Sequence, residues 1–413
     1  MDFNDTPEEA AFREEARSWL ASKASLLKPG QRRAAPLGEG TKGLLKKARE
    51  WQATKADDGW ACITWPKEYG GRGATSIQSA IWNQEEAKFD VPPNLFSIGQ
   101  GMLAPTIMAH GTQEQKDLYL EKILRADEIW CQLFSEPAAG SDLAGLRTTA
   151  VKDGDDWIIN GQKIWTSGAH YSDRGMIVCR TDPTAKKHAG ITYFIVDMDA
   201  PGVETRGIKQ ISGTSDFNEV FFTDVRVPDG NRVGAVNDGW RGAITTLMNE
   251  RATIGAGGAF GAGIKDLIEL AKNTPWNGRP AIEDPAVRQK IADYYVKLKG
   301  LEYTGLRTLT ALSQGKTPGP ENAIGKMVGA PLRQEMSAFA MELQGEAGIL
   351  TDASVAAAGG GFQQGYLASP GLRLAGGTDE ILHNILAERV LGLPGEVRVD
   401  KDLAFQDIPT GRS

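Results

Sequence analysis

The spacing of hydrophobic residues changes twice along this chain, and that change limits the folds it can adopt. From Thr6 to Arg125, apolar residues recur at helical spacing. From Ile129 to about Val233, they alternate with polar residues, and glycine, aspartate and proline turns separate short segments. Helical spacing returns from Asp238 onward. We therefore predict an α+β multidomain protein with an N-terminal helical domain at 1–127, a middle β-barrel-like domain at 128–236 and a C-terminal four-helix-bundle-like domain at 237–413.

Capping residues define the ends of several predicted helices. Thr6 followed by Pro7 begins the first helix, and Thr112 with Gln115 three positions later forms a capping box. Thr378 caps the last helix, whose apolar stripe comprises Ile381, Leu382, Ile385, Leu386 and Val390. The glycine-rich run GAGGAFGAG follows no strand, so it is predicted to continue a long helix. The predicted helices span about residues 6–27, 44–56, 76–89, a segment before Gly111, 113–125, 240–271, 285–314, 322–345 and 378–391.

The middle segment contains the strand predictions. A turn at Asp153-Gly154 and a tight Asn160-Gly161 turn predict two successive hairpins, because Asn-Gly favours the turns that join antiparallel strands. The predicted strands span residues 129–135, 148–152, 157–160, 163–167, 175–180, 192–197 and 219–227.

Composition excludes several classes of function. A net charge of −7 argues against a nucleic-acid partner, because no basic excess is present to neutralise phosphates. Three separated cysteines and four scattered histidines predict neither a disulfide framework nor a metal site. The acidic, helical N-terminus is unlike a secretory or transit signal, and no apolar run is long enough to span a membrane. A cytoplasmic protein is expected.

The stretch from Trp130 to Ser167 holds the residues suited to chemistry. A strand ends in a loop of small residues, Gly140-Ser141-Asp142, which offers backbone N–H groups and a hydroxyl to an anionic or carbonyl-rich ligand. Farther along, Trp165 places a flat ring beside two hydroxyls at a predicted strand end.

These motifs and two others, taken in order, resemble the acyl-CoA dehydrogenase family. The resemblance rests on Tyr69-Gly-Gly, residues 130–149, residues 161–169 and the segment RLAGGTDEILHNILAERVLGLP from Arg373 to Pro394. It implies the acyl-CoA dehydrogenase fold, with FAD between the β domain and the C-terminal helices. It also implies removal of hydrogens from the α and β carbons of an acyl-CoA, with electrons passed to an electron-transfer flavoprotein.

The resemblance assigns cofactor roles to the middle domain. Phe134 and Ser135 correspond to the strand backbone at the pyrimidine end of the flavin. Ser141 corresponds to a loop hydroxyl near the cofactor pyrophosphate and the acyl chain, so it is both a cofactor and a substrate candidate. Trp165 matches the indole that covers one flavin face, and Ser167 matches the hydroxyl near flavin N5.

Further roles fall on the C-terminal segment. Thr378 and Glu380 match residues that contact FAD at the head of the last helix, although Thr378 is equally explained as a helix cap. Gly376 stands where many members carry the catalytic glutamate. A subset places that base in a Glu-Arg pair on the long helix, which corresponds here to Glu250 and Arg251. The resemblance thus implies Glu250 as base, with Arg251 and the backbone N–H of Gly376 binding substrate.

The sequence departs from the usual pattern of the family at two places, which leaves alternatives open for the assembly and for the function. Asn277-Gly278 stands where members usually have Phe-Gly in a segment that reaches the FAD of a neighbouring subunit, and Pro285 replaces a glutamine. The later Gln-x-x-Gly-Gly element is also altered, at Gly345-Glu346. The resemblance implies a homotetramer, with a dimer or a mixed tetramer as alternatives. A flavin oxidase or monooxygenase of the same fold, and a non-catalytic subunit of a mixed dehydrogenase, are the alternative functions.

Overall fold

The computed structural model describes residues 5–28, 41–255, 262–313 and 319–409. The described residues fall into two compact units: the first comprises those within 1–253 and 397–413, and the second those within 254–396. The predicted order of helical, β and helical segments is confirmed. The domain boundaries after residues 127 and 236 stay a prediction.

Helices form the N-terminal part of the first unit. Thr6, Thr75 and Thr112 each cap a helix with a capping box, in which the threonine hydroxyl accepts the N–H of the third helical residue and that residue's side chain accepts the threonine N–H. A π-helical turn, Gly99–Leu103, precedes the fourth helix. The helices are α1 (Pro7–Lys23), α2 (Thr41–Asp57), α3 (Ser76–Glu86), α4 (Ala104–His110) and α5 (Gln113–Arg125).

One eight-stranded mixed sheet follows within the described residues. The sheet order is β6-β7-β3-β2-β4-β5-β8, and β1 pairs parallel with β4. Strands β6 and β8 were not predicted. The strands are β1 (Trp130–Leu133), β2 (Thr149–Asp153), β3 (Asp156–Ser167), β4 (Arg174–Arg180), β5 (Ile191–Asp197), β6 (Val203–Ile208), β7 (Phe217–Pro228) and β8 (Arg232–Val233).

The centre of this sheet is covered on both faces. Met176 and Val178 of β4 pack in a cluster with residues of α4 and α5, whereas Ile177 and Cys179 pack in a second cluster with side chains of β3 and β7. A strand that is buried on both faces has a continuous apolar sequence instead of alternating apolar and polar residues. Side chains of β1 also contribute to both faces, because Trp130 belongs to the first cluster, whereas Cys131 and Leu133 belong to the second.

The predicted Asn160-Gly161 turn is wrong. Residues on both sides of it belong to the single strand β3, which pairs antiparallel with β7 and shifts register between Ile159 and Gly161. Gly161 has a φ of +150°, and a Cβ there would lie 2.5 Å from the Thr148 hydroxyl oxygen. The glycine therefore permits a β-bulge and a close approach of two chain segments. The Asn160 amide instead donates to Asp224 at 3.0 Å.

The C-terminal helices correct a second prediction. The long helix predicted over 240–271 is interrupted, because Gly263 is extended and caps a new helix. Residues 256–261 of the glycine-rich run lie outside the described residues. Helix α10 and the short β9–β10 hairpin were not predicted. The elements are α6 (Gly239–Gly255), α7 (Ile264–Asn273), β9 (Pro275–Trp276), β10 (Arg279–Pro280), α8 (Pro285–Ser313), α9 (Ala323–Leu343), α10 (Gly361–Leu374) and α11 (Asp379–Arg389).

A buried carboxylate between α1 and α3 predicts acid sensitivity. Glu85 accepts from Arg13 at 2.9 Å, Arg17 at 3.1 Å and Lys88 at 2.8 Å. Burial by itself would raise the pKa of Glu85, but these cations lower it from 4.5 to about 2. A lowered folded-state pKa stabilises the protein above the unfolded value, and this stabilisation is lost as pH falls from 4.5 toward 2.

We expect Glu85→Gln to reduce the free energy of unfolding at pH 7 by about 3 kcal/mol. Denaturant unfolding should also show a weaker loss of stability between pH 5 and pH 3 in the variant than in the unaltered protein. Glu14→Gln is the matched control, because Glu14 is an exposed partner of the same Arg17. Equal pH dependence in the Glu85 variant and the unaltered protein would contradict the prediction.

Candidate active site

The end of β1 lies beside the middle of β3. The carbonyl of Ser135 accepts the N–H of Ile164 at 2.8 Å, and the Lys163 ammonium donates to the carbonyl of Phe134 at 3.1 Å. Phe134 is buried with its ring 5.7 Å from that of Tyr193, centre to centre, and Ser135 is half-buried. These contacts bring the two predicted flavin-contact residues next to the chain that leads directly into Trp165.

Trp165 occupies a second irregularity of β3. The strand shifts register against β7 between Lys163 and Thr166, and Trp165 has a φ of +60°. A non-glycine residue adopts this left-handed conformation only where the surrounding structure enforces it, and such strain concentrates at functional sites. The bulge leaves 56% of the Trp165 surface exposed, while Thr166 is buried. The Trp165 and Phe217 rings meet nearly at right angles, with centroids 6.1 Å apart. The indole is therefore largely accessible to a ligand beside Ser167.

A buried ion pair that was not predicted from the sequence lies beneath these residues. The Lys163 ammonium lies 2.8 Å from the Glu136 carboxylate, and both side chains are buried. Glu136 also accepts the backbone N–H groups of Arg147 at 2.6 Å and Thr148 at 2.9 Å. Burial would raise the pKa of Glu136, but the Lys163 charge and these donors hold it below the ordinary value. The two residues are 27 positions apart in the sequence, so only the folded chain reveals that they pair.

The loop between β1 and β2 carries Ser141. Glu136 and Ala139 exchange two backbone hydrogen bonds of 3.0 Å, which close a tight turn just before Gly140. Ser141 is exposed, and residues 143–145 form a single helical turn behind it. The loop is thus anchored at both ends by Glu136, whose backbone closes the turn and whose carboxylate binds the returning chain.

Glu250 lies on α6 and contacts β1. Its carboxylate accepts the Gln132 side-chain amide at 3.1 Å, and Glu250 is half-buried. One helical turn earlier, the Thr246 hydroxyl lies 2.8 Å from that of Thr106 and 3.1 Å from that of Tyr193. Burial, with the nearby negative charge of Glu250, raises the pKa of Tyr193. Glu250 is therefore not a fully solvated helix residue. The side chain of Arg251 lies outside the described residues.

The remaining predicted residues lie in the second unit. Gly376 has a φ of +66° in the turn between α10 and α11. Thr378 caps α11, because its hydroxyl accepts the N–H of Ile381 at 3.2 Å, which confirms the capping interpretation. Its contact with FAD stays a prediction. Glu380 is exposed, and hydrogen bonds from its own backbone N–H and from the Thr378 hydroxyl lower its pKa. A cavity of about 280 Å³ adjoins it, lined by Gln334, Pro370, Arg373, Leu374, Asp379 and Glu380.

Comparison with known proteins identifies the family. Acyl-CoA dehydrogenase family models match three successive parts of the chain: the N-terminal domain over residues 6–127, the middle domain over 131–225 and the C-terminal domain over 237–391. Acyl-CoA dehydrogenase IpdE1 of Mycobacterium tuberculosis is 38% identical over 394 residues, which cover 94% of this chain and 98% of that protein. The chain belongs to the acyl-CoA dehydrogenase family. It is an oxidoreductase of this family, whose cofactor is FAD.

Solved acyl-CoA dehydrogenase structures share the fold over nearly the whole chain. The Tcur3481-Tcur3483 steroid ACAD is 30% identical with a TM-score of 0.79, over 96% of this chain and 100% of that one. The ChsE4-ChsE5 complex from Mycobacterium tuberculosis is 32% identical with a TM-score of 0.78, over the same shares of the two chains.

The hydroxyl donors at the end of β1, in the following loop and beside Trp165 fit a flavin. Within the described part of the chain, the hydroxyls of Ser135, Ser141 and Ser167 have no side-chain hydrogen-bond partner. The buried hydroxyl of Thr166 is likewise unpaired among the described residues. A flavin offers a flat ring for the indole and carbonyl, nitrogen and phosphate acceptors for hydroxyl donors. These acyl-CoA dehydrogenase residues are therefore chemically suited to FAD.

Other kinds of site find no support in the described residues. No group of three or more histidine, cysteine, aspartate or glutamate side chains within them could hold a metal ion. Of the helices described, none combines the length and the apolar character needed to cross a membrane.

Proposed function

We propose that the chain dehydrogenates an acyl-CoA thioester to a trans-2-enoyl-CoA and passes the electrons to an electron-transfer flavoprotein. The hydrogen bond from Gln132 to Glu250 carries the proposal. It joins the candidate base to β1, and the residues after this strand lie against the segment that carries Trp165. The Glu250 carboxylate and the segment that carries Trp165 are thereby hydrogen-bonded to the same stretch of chain, residues 132–135.

Glu250 is proposed to remove the α proton. The proton of a thioester α carbon is weakly acidic, so its removal requires a positioned base and stabilisation of charge on the carbonyl oxygen. The Gln132 amide fixes one oxygen of the Glu250 carboxylate. The Gly376 N–H is proposed to donate to the thioester carbonyl, and Arg251 to bind substrate. FAD, when bound, supplies the two-electron oxidation.

Phe134, Ser135, Trp165 and Ser167 are proposed to hold the flavin. The backbone at Phe134 and Ser135 meets the polar edge of the ring system, and the exposed indole covers one face. The Ser167 hydroxyl, which has no partner among the described residues, orients the ring. Proposed contacts of Ser141, Thr378 and Glu380 extend to the rest of the cofactor, and Ser141 also contacts the acyl chain.

The substrate is proposed to carry a bulky, ring-bearing acyl group. A solved structure that resembles this chain at 30% identity is named as a steroid ACAD. In this chain, glycine stands at position 376, where many members have glutamate, and a missing side chain leaves room for a broader substrate.

We infer that the active assembly includes a second, non-identical acyl-CoA dehydrogenase chain. The hairpin β9–β10 turns at Asn277 and Gly278, with φ values of +52° and +81°, where members usually have a Phe-Gly segment directed to a neighbouring FAD. The two related solved structures are named as pairs, Tcur3481-Tcur3483 and ChsE4-ChsE5. A homotetramer or homodimer that retains FAD after purification of this chain alone would contradict the inference.

An anaerobic titration tests the activity. The purified protein, with any partner chain that co-purifies, is mixed with straight-chain, branched and ring-bearing acyl-CoAs while its visible flavin spectrum is recorded. We expect ring-bearing thioesters to bleach the flavin and electron-transfer flavoprotein to restore its colour. Bleaching by straight-chain thioesters alone would contradict the substrate class. Rapid recolouring by oxygen would favour an oxidase, and a flavin that no thioester bleaches would contradict dehydrogenation.

A further inference from the structure

The segment Asp400–Asp407, called here the C-terminal strap, returns to the β sheet of the first unit. The N–H groups of Phe405 and Gln406 each donate at 2.9 Å, to the carbonyls of Ala185 and Pro183 respectively. Phe405 is buried. The strap is thus a bound part of this unit, docked on the connection between β4 and β5.

One anchor of the strap is Arg180, the last residue of β4. Its guanidinium is buried and lies 3.7 Å from the centre of the Phe405 ring. The same guanidinium donates to the carbonyl of Ala144 at 2.6 Å and to that of Lys187 at 2.8 Å. Ala144 belongs to the loop that carries Ser141. Arg180 therefore couples the strap to that loop, because its guanidinium contacts the Phe405 ring and also donates to the Ala144 carbonyl.

The second anchor is Lys187. Its ammonium lies 2.7 Å from the Asp142 carboxylate and 2.6 Å from that of Asp400, and the side chain is only 9% exposed. Asp142 directly follows Ser141, and Asp400 begins the strap. Burial opposes the charge of Lys187, but the two carboxylates raise its pKa. Without the ammonium, the two like charges would face each other across the contact.

Both anchors contact residues 140–147, called here the Ser141 loop: Lys187 binds Asp142, and Arg180 binds the carbonyl of Ala144. We propose that the C-terminal strap is a positioning element for the acyl-CoA site, and that Lys187 and Arg180 transmit its effect to the Ser141 loop. The role of Ser141 toward acyl-CoA rests on the proposed function. A loop held in its binding conformation loses less conformational entropy when a ligand binds. Loss of the strap contact therefore weakens acyl-CoA binding more than it slows the chemical step.

The neighbouring ion pair supplies a matched control. Lys186 pairs with Asp402 of the same strap at 2.7 Å, but both side chains are largely exposed and neither contacts the Ser141 loop within the described residues. Exposed pairs contribute little to stability. Lys186→Met therefore removes a lysine and a strap contact at the adjacent position without freeing the loop.

The experiment compares Lys187→Met, Asp400→Asn and Phe405→Ala with Lys186→Met in the full-length holoprotein. Hydrogen–deuterium exchange of a peptide covering residues 140–148 is measured first. We expect exchange there to be about tenfold faster in the three strap variants, with β3 and β4 unchanged, and to match the unaltered protein in Lys186→Met. The expected kinetic effect is a KM for acyl-CoA raised about tenfold while kcat stays within about twofold, which corresponds to ~1.4 kcal/mol of binding free energy.

Equal loop exchange in Lys187→Met and Lys186→Met would overturn the inference, as would an unchanged KM in all three strap variants. If Lys187→Met does not fold, Asp400→Asn and Phe405→Ala give the same comparison with smaller changes in charge. The exchange measurement does not depend on turnover. If the unaltered protein, together with any partner chain that co-purifies, dehydrogenates no acyl-CoA, the proposed function is refuted, while the exchange result still decides whether the strap holds the loop.

Discussion

Glu250→Gln is expected to lower kcat by about 10²–10⁴-fold, the range contributed by a positioned general base. Glutamine has nearly the same shape and still pairs with Gln132, so the FAD content and the Kd for acyl-CoA should change little. Stopped-flow reduction of the flavin by acyl-CoA measures the affected step directly. The variant should bind the thioester, which equilibrium titration detects, and then reduce very slowly.

Glu269→Gln serves as the control for this substitution. Glu269 is an exposed helical glutamate paired with Lys272, so its replacement should leave flavin reduction unaltered. Near-normal reduction in Glu250→Gln would exclude Glu250 as the base. A variant that lost its flavin would show instead that the Gln132–Glu250 contact supports the fold.

Local sequence rules predicted the helices of the first unit well. Thr112 and Gln115 form both hydrogen bonds of the predicted capping box, because the interaction involves four consecutive residues and requires no tertiary information. Asn160-Gly161 shows the limit of such rules. The dipeptide favours a hairpin in isolation, but pairing with the long strand β7 and the close approach of Thr148 select a bulge instead.

The candidate site shows the same division between local and tertiary information. Trp165 and Ser167 were recognisable because the motif is continuous in sequence. The left-handed backbone of Trp165 was not predictable, because it arises from a register shift between two strands far apart in the chain. Glu136 and Lys163 are 27 residues apart, and nothing in either local segment indicates that they meet. Their pairing emerges only when β1 and β3 come together.

Lys163→Met is expected to lower the free energy of unfolding by about 3–5 kcal/mol, because it leaves the buried Glu136 carboxylate without its cation. The same change removes the donor to the Phe134 carbonyl. Denaturant unfolding of the holoprotein measures the stability, and the ratio of flavin to protein absorbance measures FAD retention. We expect FAD to be lost in the variant at temperatures where the protein remains folded.

Two further variants distinguish loss of the buried ion pair from other effects of replacing a lysine by methionine. Lys152→Met removes an exposed lysine from the adjacent strand β2, and the stability change there should stay within about 1 kcal/mol. The double variant Lys163→Met/Glu136→Leu removes both buried charges, so it should recover much of the lost stability, since replacing a buried pair by apolar side chains is often neutral.

FAD retention in the double variant then shows what the ion pair does for the site. Glu136 holds the N–H groups of Arg147 and Thr148, and Lys163 holds the Phe134 carbonyl, so the pair fixes both ends of the loop that contains Ser141. If the double variant is stable but binds FAD weakly, the buried charges serve the geometry of the site rather than the stability of the sheet. Full FAD retention would assign that geometry to the β3 bulge and the C-terminal strap, which remain intact in this variant.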